Sequence, residues 1–377
     1  MAAAMIGLAV LCALLFLHPY LVYPLTLRAF RPAPVRPDPA APLPSATLLF
    51  CAHNEERALP AKLANLRALK QLHPDLEILA YSDASTDATL ALLEAEPDLL
   101  RVVPSPGRTG KATGMRLMAA QARGDILIFT DANVILDPAS LAPLLRYFSD
   151  PAVGGVAGSL HYINEDASTT ARVGGLYWRL EEALKRRESA VGSIMGADGS
   201  IFAARRALYP DVPAHLLDDM TVSMSVTFRG YRLIHATDVI AYEKNATASG
   251  DEFRRKRRIA CRSFNTHRYL WPQIRARYGA ADLYKYLSHK WLRWLGLVPL
   301  LLACGLGFGG LLLAGFPRLA LFGAAAAALA LLLGRLGAPL FGGLYQILLS
   351  VIATFLGILD SLRGKTYQTW APAASRD

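Results

Sequence analysis

The feature that most constrains this 377-residue chain is a set of long uncharged apolar segments that lie only at its two ends. Met5–Leu27, Leu295–Phe316 and Leu336–Leu359 contain no Asp, Glu, Lys or Arg, and each has at least 22 residues. About 20 apolar residues in a helix cross the ~30 Å hydrocarbon core of a bilayer. Leu319–Gly334 is also uncharged, but its 16 residues make it a marginal span. The sequence therefore predicts a multi-pass membrane protein with two to three C-terminal spans.

The charges that flank the first segment predict its orientation. No Lys or Arg precedes it, which disfavours a cleaved signal peptide, whereas Arg28, Arg31 and Arg36 follow it. The positive-inside rule then places the N-terminus outside and the chain from residue 28 in the cytoplasm. Four spans would return the tail to the outside, yet Lys365 and its basic neighbours (Arg363 and Arg376) favour the inside, so the sequence leaves the side of the tail open.

Composition excludes several classes of protein. Charged residues make up 19% of the chain, below the usual ~25%, which excludes a disordered polymer. The four cysteines form no C-x-x-C pair, which disfavours a disulfide scaffold and a cysteine zinc site. The net charge of +10 suits a cytoplasmic leaflet or an anionic ligand. A basic cluster between 254 and 268 lies beside a predicted span, so we expect no nucleic-acid partner.

The middle of the chain alternates between predicted strands and helices. Short apolar runs predict strands, and Leu59, Leu63, Leu66 and Leu69 have the spacing of a helix. The predicted strands are Ala46–Ala52, Glu77–Tyr81, Leu100–Val103, Asp125–Thr130 and Val153–Leu160. This order indicates an α/β domain with a mainly parallel sheet, in which ligands bind beyond the carboxyl ends of the strands. Polar clusters at 53–56, 82–87 and 131–133 follow three of these strands, which together suggest a nucleotide crevice.

Each polar cluster has a chemical and a structural interpretation. Asp83 can accept hydrogen bonds from a base or ribose, or it can form an Asx turn. The segment Gly107–Lys111 does not match the Walker pattern, but its Arg and Lys can still contact a diphosphate. The structural alternative is a solvated basic turn. Asp131, with Asn133 two residues on, can hold Mg²⁺ or Mn²⁺, or can cap a turn.

A further pair of carboxylates, Asp218 and Asp219, follows two leucines. Adjacent like charges in a confined site raise one pKa, as a general base requires. The structural alternative is a helix N-terminus with Asp in its first turn, which is compatible with catalysis.

The order of these motifs resembles a known family. The chain has CAHNEE at 51–56, DASTD at 83–87, GRTGKATGM at 107–115, FTDAN at 129–133, MGADGSIFAARR at 195–206, LLDD at 216–219 and RRKRRIACR at 254–262. This series resembles the membrane-bound family 2 glycosyltransferases, the group that includes cellulose, hyaluronan and poly-N-acetylglucosamine synthases. The resemblance covers residues 46–370. It implies an A-type catalytic domain with a Rossmann-like sheet, a cytosolic active site and an inverting mechanism.

The resemblance also implies roles for single residues. Nucleotide-sugar contacts are implied for Ala52, Asn54, Glu55, Asp83, Lys111, Asp131 and Arg258. A divalent cation is implied at Asp131, with Asn133 beside it. Asp219 matches the catalytic base and Asp218 the acid that precedes it.

Some positions depart from the family pattern. Asn133 replaces an acid, which leaves Asp131 and phosphate as the expected metal ligands there, and Asp218 replaces a Glu. In the Q-x-x-R-W signature Arg255 replaces Gln and Ile259 replaces Trp, which puts processive synthesis in doubt.

The predicted organisation has six parts. They are a signal anchor (1–27), a Pro-rich linker (28–45), a catalytic domain (46–275), an interfacial segment (276–294), a transmembrane region (295–360) and a tail (361–377). The predicted function is transfer of a sugar, from a UDP-linked donor, to a polysaccharide or lipid-linked acceptor in exopolysaccharide or cell-envelope synthesis at the cytoplasmic membrane. The alternative is a nucleotide-sugar-binding membrane receptor or an inactive relative.

Overall fold

In the computed structural model, which describes residues 1–105 and 107–369, the chain between the terminal helices folds around one mixed sheet. The eight described strands lie in the order β3-β2-β1-β4-β7-β6-β8-β5. They are β1 (Ala46–Ala52), β2 (Glu77–Ser82), β3 (Arg101–Pro104), β4 (Ile126–Asp131), β5 (Ile135–Leu136), β6 (Val153–Tyr162), β7 (Ile201–Arg205) and β8 (Arg232–Glu243). Arg376 and the rest of the predicted tail after residue 369 lie outside the described residues.

The predicted α/β fold with a parallel sheet is confirmed for the first half of the domain. The pairs β1–β2, β1–β4 and β2–β3 are parallel, as is β6–β8. The pairs β4–β7, β6–β7 and β5–β8 are antiparallel, so the sheet is more mixed than the sequence predicts. The strands are apolar on both faces because helices cover both sides, and each face packs into its own buried cluster.

Helices cover the sheet and form both ends of the chain. They are α1 (Ala2–Leu17), α2 (Tyr23–Thr26), α3 (Leu59–Leu72), α4 (Thr89–Glu94), α5 (Lys111–Gln121), α6 (Leu141–Arg146), α7 (Thr169–Ala190), α8 (Asp218–Phe228), α9 (Ser249–Arg277), α10 (Ala280–Tyr286), α11 (Leu292–Trp294), α12 (Leu297–Leu313), α13 (Pro317–Arg335) and α14 (Pro339–Leu362). Leu59, Leu63, Leu66 and Leu69, predicted as one helical face, are all buried on α3.

Three described helical segments are long and apolar enough to cross a membrane: Ala2–Ala29, Pro317–Arg335 and Leu340–Leu362. A fourth candidate is the pair formed by Ala280–Trp294 and Leu297–Leu313, which is bent by 67°. The helices α1 and α12 lie side by side and run in opposite directions. A Cβ added to Gly296 would lie 3.6 Å from the Phe16 ring, and one added to Gly310 would lie 2.8 Å from Ile6 Cγ1.

A buried network of charged and polar side chains joins the N-terminal helices, α7 and the segment before α12. The Tyr23 hydroxyl donates to Glu188 Oε1 at 2.5 Å, and His289 Nδ1 lies 2.8 Å from the same oxygen. His289 Nε2 lies 2.8 Å from Glu181 Oε1, and Arg293 donates to Glu181 Oε2. We call these five residues the anchoring network, because they connect the domain built around the sheet to the N-terminal helices and to the segment before α12.

Candidate active site

The carboxyl ends of the parallel strands bring the predicted polar clusters together. Cys51 pairs with Asp131 across β1 and β4, and Ala52 pairs with Ser82 across β1 and β2. The Asp83 amide then donates to the Ala52 carbonyl at 2.9 Å. Loops 53–56, 82–87 and 131–133 therefore start at the same edge of the sheet, where ligands of such sheets bind.

Asp83 organises the loop that contains the Gly-Arg-Thr-Gly-Lys sequence. Its Oδ1 accepts from the Thr109 amide at 2.7 Å, and its Oδ2 accepts from the Gly110 amide at 3.0 Å. Gly110 has φ +87°, a left-handed conformation that favours glycine. The carboxylate therefore fixes the backbone that leads into Lys111, the first residue of α5.

The first two strand-end loops are joined by their side chains. Asn54 has φ +54°, and its Oδ1 accepts from the Thr86 amide at 2.9 Å. The Glu55 amide donates to Thr89 Oγ1 at 2.8 Å, and Ala52 is buried at the end of β1. These contacts hold the predicted nucleoside-binding segment against the loop that carries Asp83.

Four charged side chains from three elements converge around Gly199. Lys111 Nζ lies 2.6 Å from Asp131 Oδ1 and 3.9 Å from Asp218 Oδ2. A Cβ added to Gly199 would lie 2.9 Å from Lys111 Nζ, 3.3 Å from Asp219 Oδ2 and 3.9 Å from Asp131 Oδ2. We call Lys111, Asp131, Asp218 and Asp219 the charged cluster. Sequence reasoning predicted all four as site residues, and the fold brings them together.

Burial and crowding of like charges shift the protonation of the charged cluster. Burial and the nearby Asp218 raise the pKa of Asp219 to about 7, although Lys111 acts in the opposite direction. Burial lowers the pKa of Lys111, but the carboxylates of Asp131, Asp218 and Asp219 outweigh burial and the net shift is upward. Lys111 is therefore a permanent cation, and Asp219 is able to exchange a proton near neutral pH.

Both aspartates of the acidic pair lie in the first turn of α8, which begins at Asp218. The structural alternative considered for them therefore describes their position, and it does not conflict with a catalytic role. Asp219 Oδ1 accepts from the Met220 amide, while Oδ2 is the oxygen that approaches Gly199. Asp218 Oδ2 is buried and has no hydrogen-bond partner among the described residues.

Two other predicted site residues are Asn133 and Arg258. The Asn133 side chain donates from Nδ2 to Glu243 Oε1 at 3.1 Å, at the end of β8. Arg258 is half-buried on α9. One turn later, Arg262 is fully buried and donates to the Leu216 carbonyl at 2.5 Å. Burial lowers the pKa of Arg262, while Asp218 and Asp219 act in the opposite direction, so Arg262 lies near the acidic pair.

Sequence reasoning gave no role to three features of the site. The first is Arg262. Its spacing of four from Arg258 places both residues on one face of α9, and this spacing could have identified Arg262 from the sequence. Lys185 Nζ lies 2.7 Å from Asp198 Oδ2, which ties the loop before Gly199 to α7. No local pattern points to that contact, because the two residues belong to different elements.

The third missed feature is the segment that follows α14. Its Gln368 side chain donates from Nε2 to the Thr109 carbonyl at 2.9 Å. Tyr367 donates to Asp360 Oδ2 at 2.9 Å, and the Lys365 carbonyl accepts from Asn265 Nδ2 at 2.8 Å. The C-terminal segment therefore crosses from α14 to the loop that Asp83 organises.

The donor set at this site fits a cation that shares its ligands with phosphate. Within residues 1–105 and 107–369, no group of three or more His, Cys, Asp or Glu side chains is arranged to bind a metal. Mg²⁺ and similar hard ions use one or two carboxylates together with phosphate oxygens. The Asp131 side chain is 37% exposed and can supply such a ligand.

Comparison with known proteins agrees with this geometry. Residues 47–212 match the family model described as Glycosyl transferase family 2. The chain carries a family 2 glycosyltransferase domain. The matched range contains the loops at β1, β2 and β4 and the Asp198–Gly199 segment, and it ends shortly before Asp218.

Similar proteins include several glycosyltransferases. Over 200 residues the chain is 28% identical to the beta-monoglucosyldiacylglycerol synthase of Synechocystis sp.. This match covers 49% of this chain and 42% of the synthase. Over 217 residues the chain is 20% identical to an N-acetylglucosaminyltransferase of Rhizobium leguminosarum bv. viciae. This match covers 53% of this chain and 51% of the transferase. The chain thus matches about half the length of these curated relatives.

One solved structure shares the fold over nearly the whole chain. It is the mannosyltransferase PcManGT from Pyrobaculum calidifontis, solved in complex with GDP-Man and Mn²⁺. The TM-score is 0.72 at 22% sequence identity, and the match covers 96% of this chain and 99% of that one. The shared fold therefore includes the terminal helices as well as the family 2 glycosyltransferase domain.

Proposed function

We propose that this protein is a membrane-anchored inverting glycosyltransferase that moves a sugar from a nucleotide sugar, UDP-linked in our hypothesis, to a polysaccharide or lipid-linked acceptor. The observation that carries the proposal is the charged cluster at the carboxyl ends of the parallel strands. It places a lysine and a strand-end carboxylate beside a buried carboxylate whose pKa is raised to about 7. The lysine and the strand-end carboxylate can stabilise a diphosphate leaving group, and the buried carboxylate can accept the proton of an acceptor hydroxyl.

The proposed reaction is a single in-line displacement. Asp219 Oδ2 accepts the proton of the acceptor hydroxyl as that oxygen forms a bond to the anomeric carbon. The bond between the anomeric carbon and the diphosphate oxygen breaks on the opposite face, and the diphosphate leaves with the electron pair. Attack from the opposite face inverts the configuration of the anomeric carbon.

Three residues are proposed to serve the donor. Lys111 and Arg258 face the negative charge that develops on the departing diphosphate. Asp131 would hold a divalent cation, Mg²⁺ or Mn²⁺, which when bound neutralises charge on the diphosphate. The mannosyltransferase PcManGT was solved with GDP-Man and Mn²⁺, and this pairing supports a nucleotide sugar and a cation for this chain as well.

The terminal helices support attachment to a membrane. Their length and apolar composition allow up to four crossings, and Arg28, Arg31 and Arg36 favour a cytoplasmic catalytic domain. Cytoplasmic nucleotide sugars would then reach the site directly. The named product of the Synechocystis relative, a glycosylated diacylglycerol, supports a lipid acceptor, and the predicted role in exopolysaccharide or cell-envelope synthesis belongs to the same proposal.

A screen of purified protein against UDP- and GDP-sugars tests the proposal through nucleotide release. We expect release from at least one donor, with Mn²⁺ or Mg²⁺ required. Asp131→Asn should abolish the cation dependence of donor binding, while Asp211→Asn, which removes a charge at an exposed position, should not. Equal donor affinity with and without Mn²⁺ in the unaltered protein would contradict the metal role. Binding of a donor without any release would instead favour a receptor.

A further inference from the structure

Helix α14 has the length of a membrane span but packs like a part of the catalytic domain. Its 24 residues, at about 1.5 Å each, extend over about 36 Å. Gln346 donates to Ser249 Oγ at 2.8 Å, at the start of α9. Fifteen residues later, Ser361 donates to Asn265 Oδ1 at 2.7 Å. The two helices therefore run side by side in the same direction for most of the length of α14.

The contact between α14 and α9 is close where the second half of α14 meets the middle of α9. A Cβ added to Gly357 would lie 2.7 Å from Ala260 Cβ and would also meet the Arg257 carbonyl oxygen. Only glycine permits this approach. Asp360 is completely buried and receives two hydrogen bonds from Arg257, at 2.6 and 2.9 Å. The pairing is bidentate, which fixes the relative position of the helices.

Helix α9 cannot lie within the hydrocarbon of a bilayer. It begins six residues after the end of β8 and continues directly from the sheet. Its basic side chains are Arg254, Arg255, Lys256, Arg257, Arg258, Arg262, Arg268, Arg275 and Arg277. Each charge at the centre of a membrane is costly. A helix that follows α9 along its length must share its depth.

Both ends of α14 contact the catalytic domain. At its start, a Cβ added to Gly342 would lie 3.4 Å from Thr169 Cγ2, and one added to Gly343 would lie 3.8 Å from Val173 Cγ2, both on α7. After its end, Gln368 reaches the Thr109 carbonyl. A span would place these two ends on opposite sides of a ~30 Å core, so one domain could not hold both.

The face of α14 turned away from α9 is apolar and exposed. Leu340, Leu344 and Ile347 are 74%, 56% and 47% exposed, and their spacings of four and three place them on one stripe. Exposed Arg268 and Arg363 lie at the C-terminal end of the helix. An apolar stripe with basic side chains at one end is typical of a helix that lies in the interface of an anionic membrane.

We propose that α14 does not cross the membrane but lies along the surface of the leaflet on the side of the catalytic domain, with its apolar stripe among the lipids. This inference rests on the membrane attachment proposed above. The crossing segments are then the N-terminal helix, α12 and α13. Since α12 runs antiparallel to α1, it crosses from the cytoplasmic side to the outside, and α13 crosses to the cytoplasmic side again. Three crossings from an outside N-terminus place Arg363 and Lys365 on the cytoplasmic side, which resolves the conflict between span number and tail charge.

Cysteine accessibility in the full-length chain tests the inference. In a background with Cys12→Ala, Cys51→Ala, Cys261→Ser and Cys304→Ala, single cysteines are introduced by Ala40→Cys, Ala314→Cys and Leu362→Cys. The first reports on the linker before β1, the second on the turn between α12 and α13, and the third on the exposed end of α14. A second variant near that end, Thr366→Cys, reports on the same side of the membrane in case the Leu362→Cys variant does not fold. Each variant is labelled with a membrane-impermeant maleimide in intact spheroplasts and after permeabilisation.

We expect the Ala314→Cys variant to be labelled in intact spheroplasts, and the other three only after permeabilisation. A Leu336→Cys variant, between α13 and α14, should also require permeabilisation. Its labelling on the side of Ala314→Cys would show that α14 rather than α13 crosses and would overturn the inference. Labelling of the Leu362→Cys and Thr366→Cys variants on the same side as Ala314→Cys would show that α14 crosses and would overturn the inference. Labelling of all variants on one side would also overturn it, because α12 would not cross. If only Ala314→Cys requires permeabilisation, the inference stands and the cytoplasmic orientation in the proposed function fails.

Discussion

Two buried groups of charged side chains in this molecule differ in how their charges are matched. In the anchoring network, Glu181 contacts both His289 and Arg293, and Glu188 contacts both Tyr23 and His289. Burial by itself would raise the pKa of each glutamate, but these partners outweigh burial and lower both pKa values below the ordinary 4.5. Both glutamates are therefore ionised at neutral pH, and the network acts as a fixed connection.

The charged cluster has three carboxylates and one ammonium group. Lys111 contacts Asp131 closely and Asp218 only at 3.9 Å, and Asp219 retains a pKa of about 7. An unmatched carboxylate destabilises a fold but is suited to proton transfer. The comparison teaches that burial alone does not distinguish a functional site, whereas an excess of like charge does.

The largest effect should come from Asp219→Asn, which preserves the shape of the charged cluster but removes its proton acceptor. We expect transfer to fall by ~10²–10⁴-fold, while donor affinity stays within a small factor because Asp83, Lys111 and Asp131 are unchanged. Rates of nucleotide release and equilibrium binding of the donor measure the two effects. Retained transfer would assign the base to Asp218 or to water, and lost donor affinity would make Asp219 a structural or metal-binding residue.

Glu181→Gln should destabilise the protein rather than stop the chemistry. It leaves Arg293 without its buried counter-ion, and breaking a buried pair in this way costs about 3–5 kcal/mol. We expect a clear drop in the thermal unfolding temperature with little change in the KM for the donor. Asp166→Asn is the matched control, because Asp166 is fully exposed and its contact with Arg172 is long. Equal behaviour of the two variants would contradict the anchoring role.

The two groups should also respond differently to pH. Asp219 must be deprotonated to act, so kcat/KM should fall about tenfold per pH unit below about 7 and level off above it. Glu181→Gln should keep this profile, because the glutamates of the anchoring network have lowered pKa values. Their contribution to stability is present above pH 4.5 and is lost only as the pH falls through the lowered values. A profile that shifts in Glu181→Gln would show that the two groups are coupled.

The smallest effect should come from Gln368→Ala. The loop beside the charged cluster receives one neutral hydrogen bond from Gln368, in contrast to the ionic contacts of the anchoring network. Such a bond contributes about 1 kcal/mol, so donor affinity should fall by about fivefold. Thr366→Ala, at an exposed neighbour, is the control for changes in the segment itself. Unchanged affinity in Gln368→Ala would show that this contact does not support the donor loop.

The sequence predicts the parallel half of the sheet well and the antiparallel half poorly. Ala46–Ala52 is β1 residue for residue, and the predicted second, third, fourth and fifth strands differ from β2, β3, β4 and β6 by two residues or fewer at each end. β5, β7 and β8 were not predicted. β5 has only two residues, and β7 pairs antiparallel with β4 across about 70 residues of chain. Local apolar patterns report burial, but they do not report a partner that lies so far along the chain.

The same distinction applies to the candidate site. The residues that carry charge at strand ends, such as Asp83 and Asp131, follow from the rule for parallel sheets. Lys185 with Asp198, and Gln368 with Thr109, depend on how separate elements pack, which no spacing in the sequence records. The depth of α14 is a further example, since composition favours a span and packing favours the surface.

The anchoring network also has a consequence for how the protein is made. Tyr23 lies 165 residues before Glu188, and Glu188 lies 101 residues before His289. At a synthesis rate of ~5–20 residues per second, Glu188 therefore waits roughly 5–20 s for its imidazole partner. During that time β7 and β8 are synthesised and complete the sheet, but the two glutamates still lack His289 and Arg293. The connection between this domain and its N-terminal helices is thus complete only after the ribosome has passed the segment that begins the C-terminal helices.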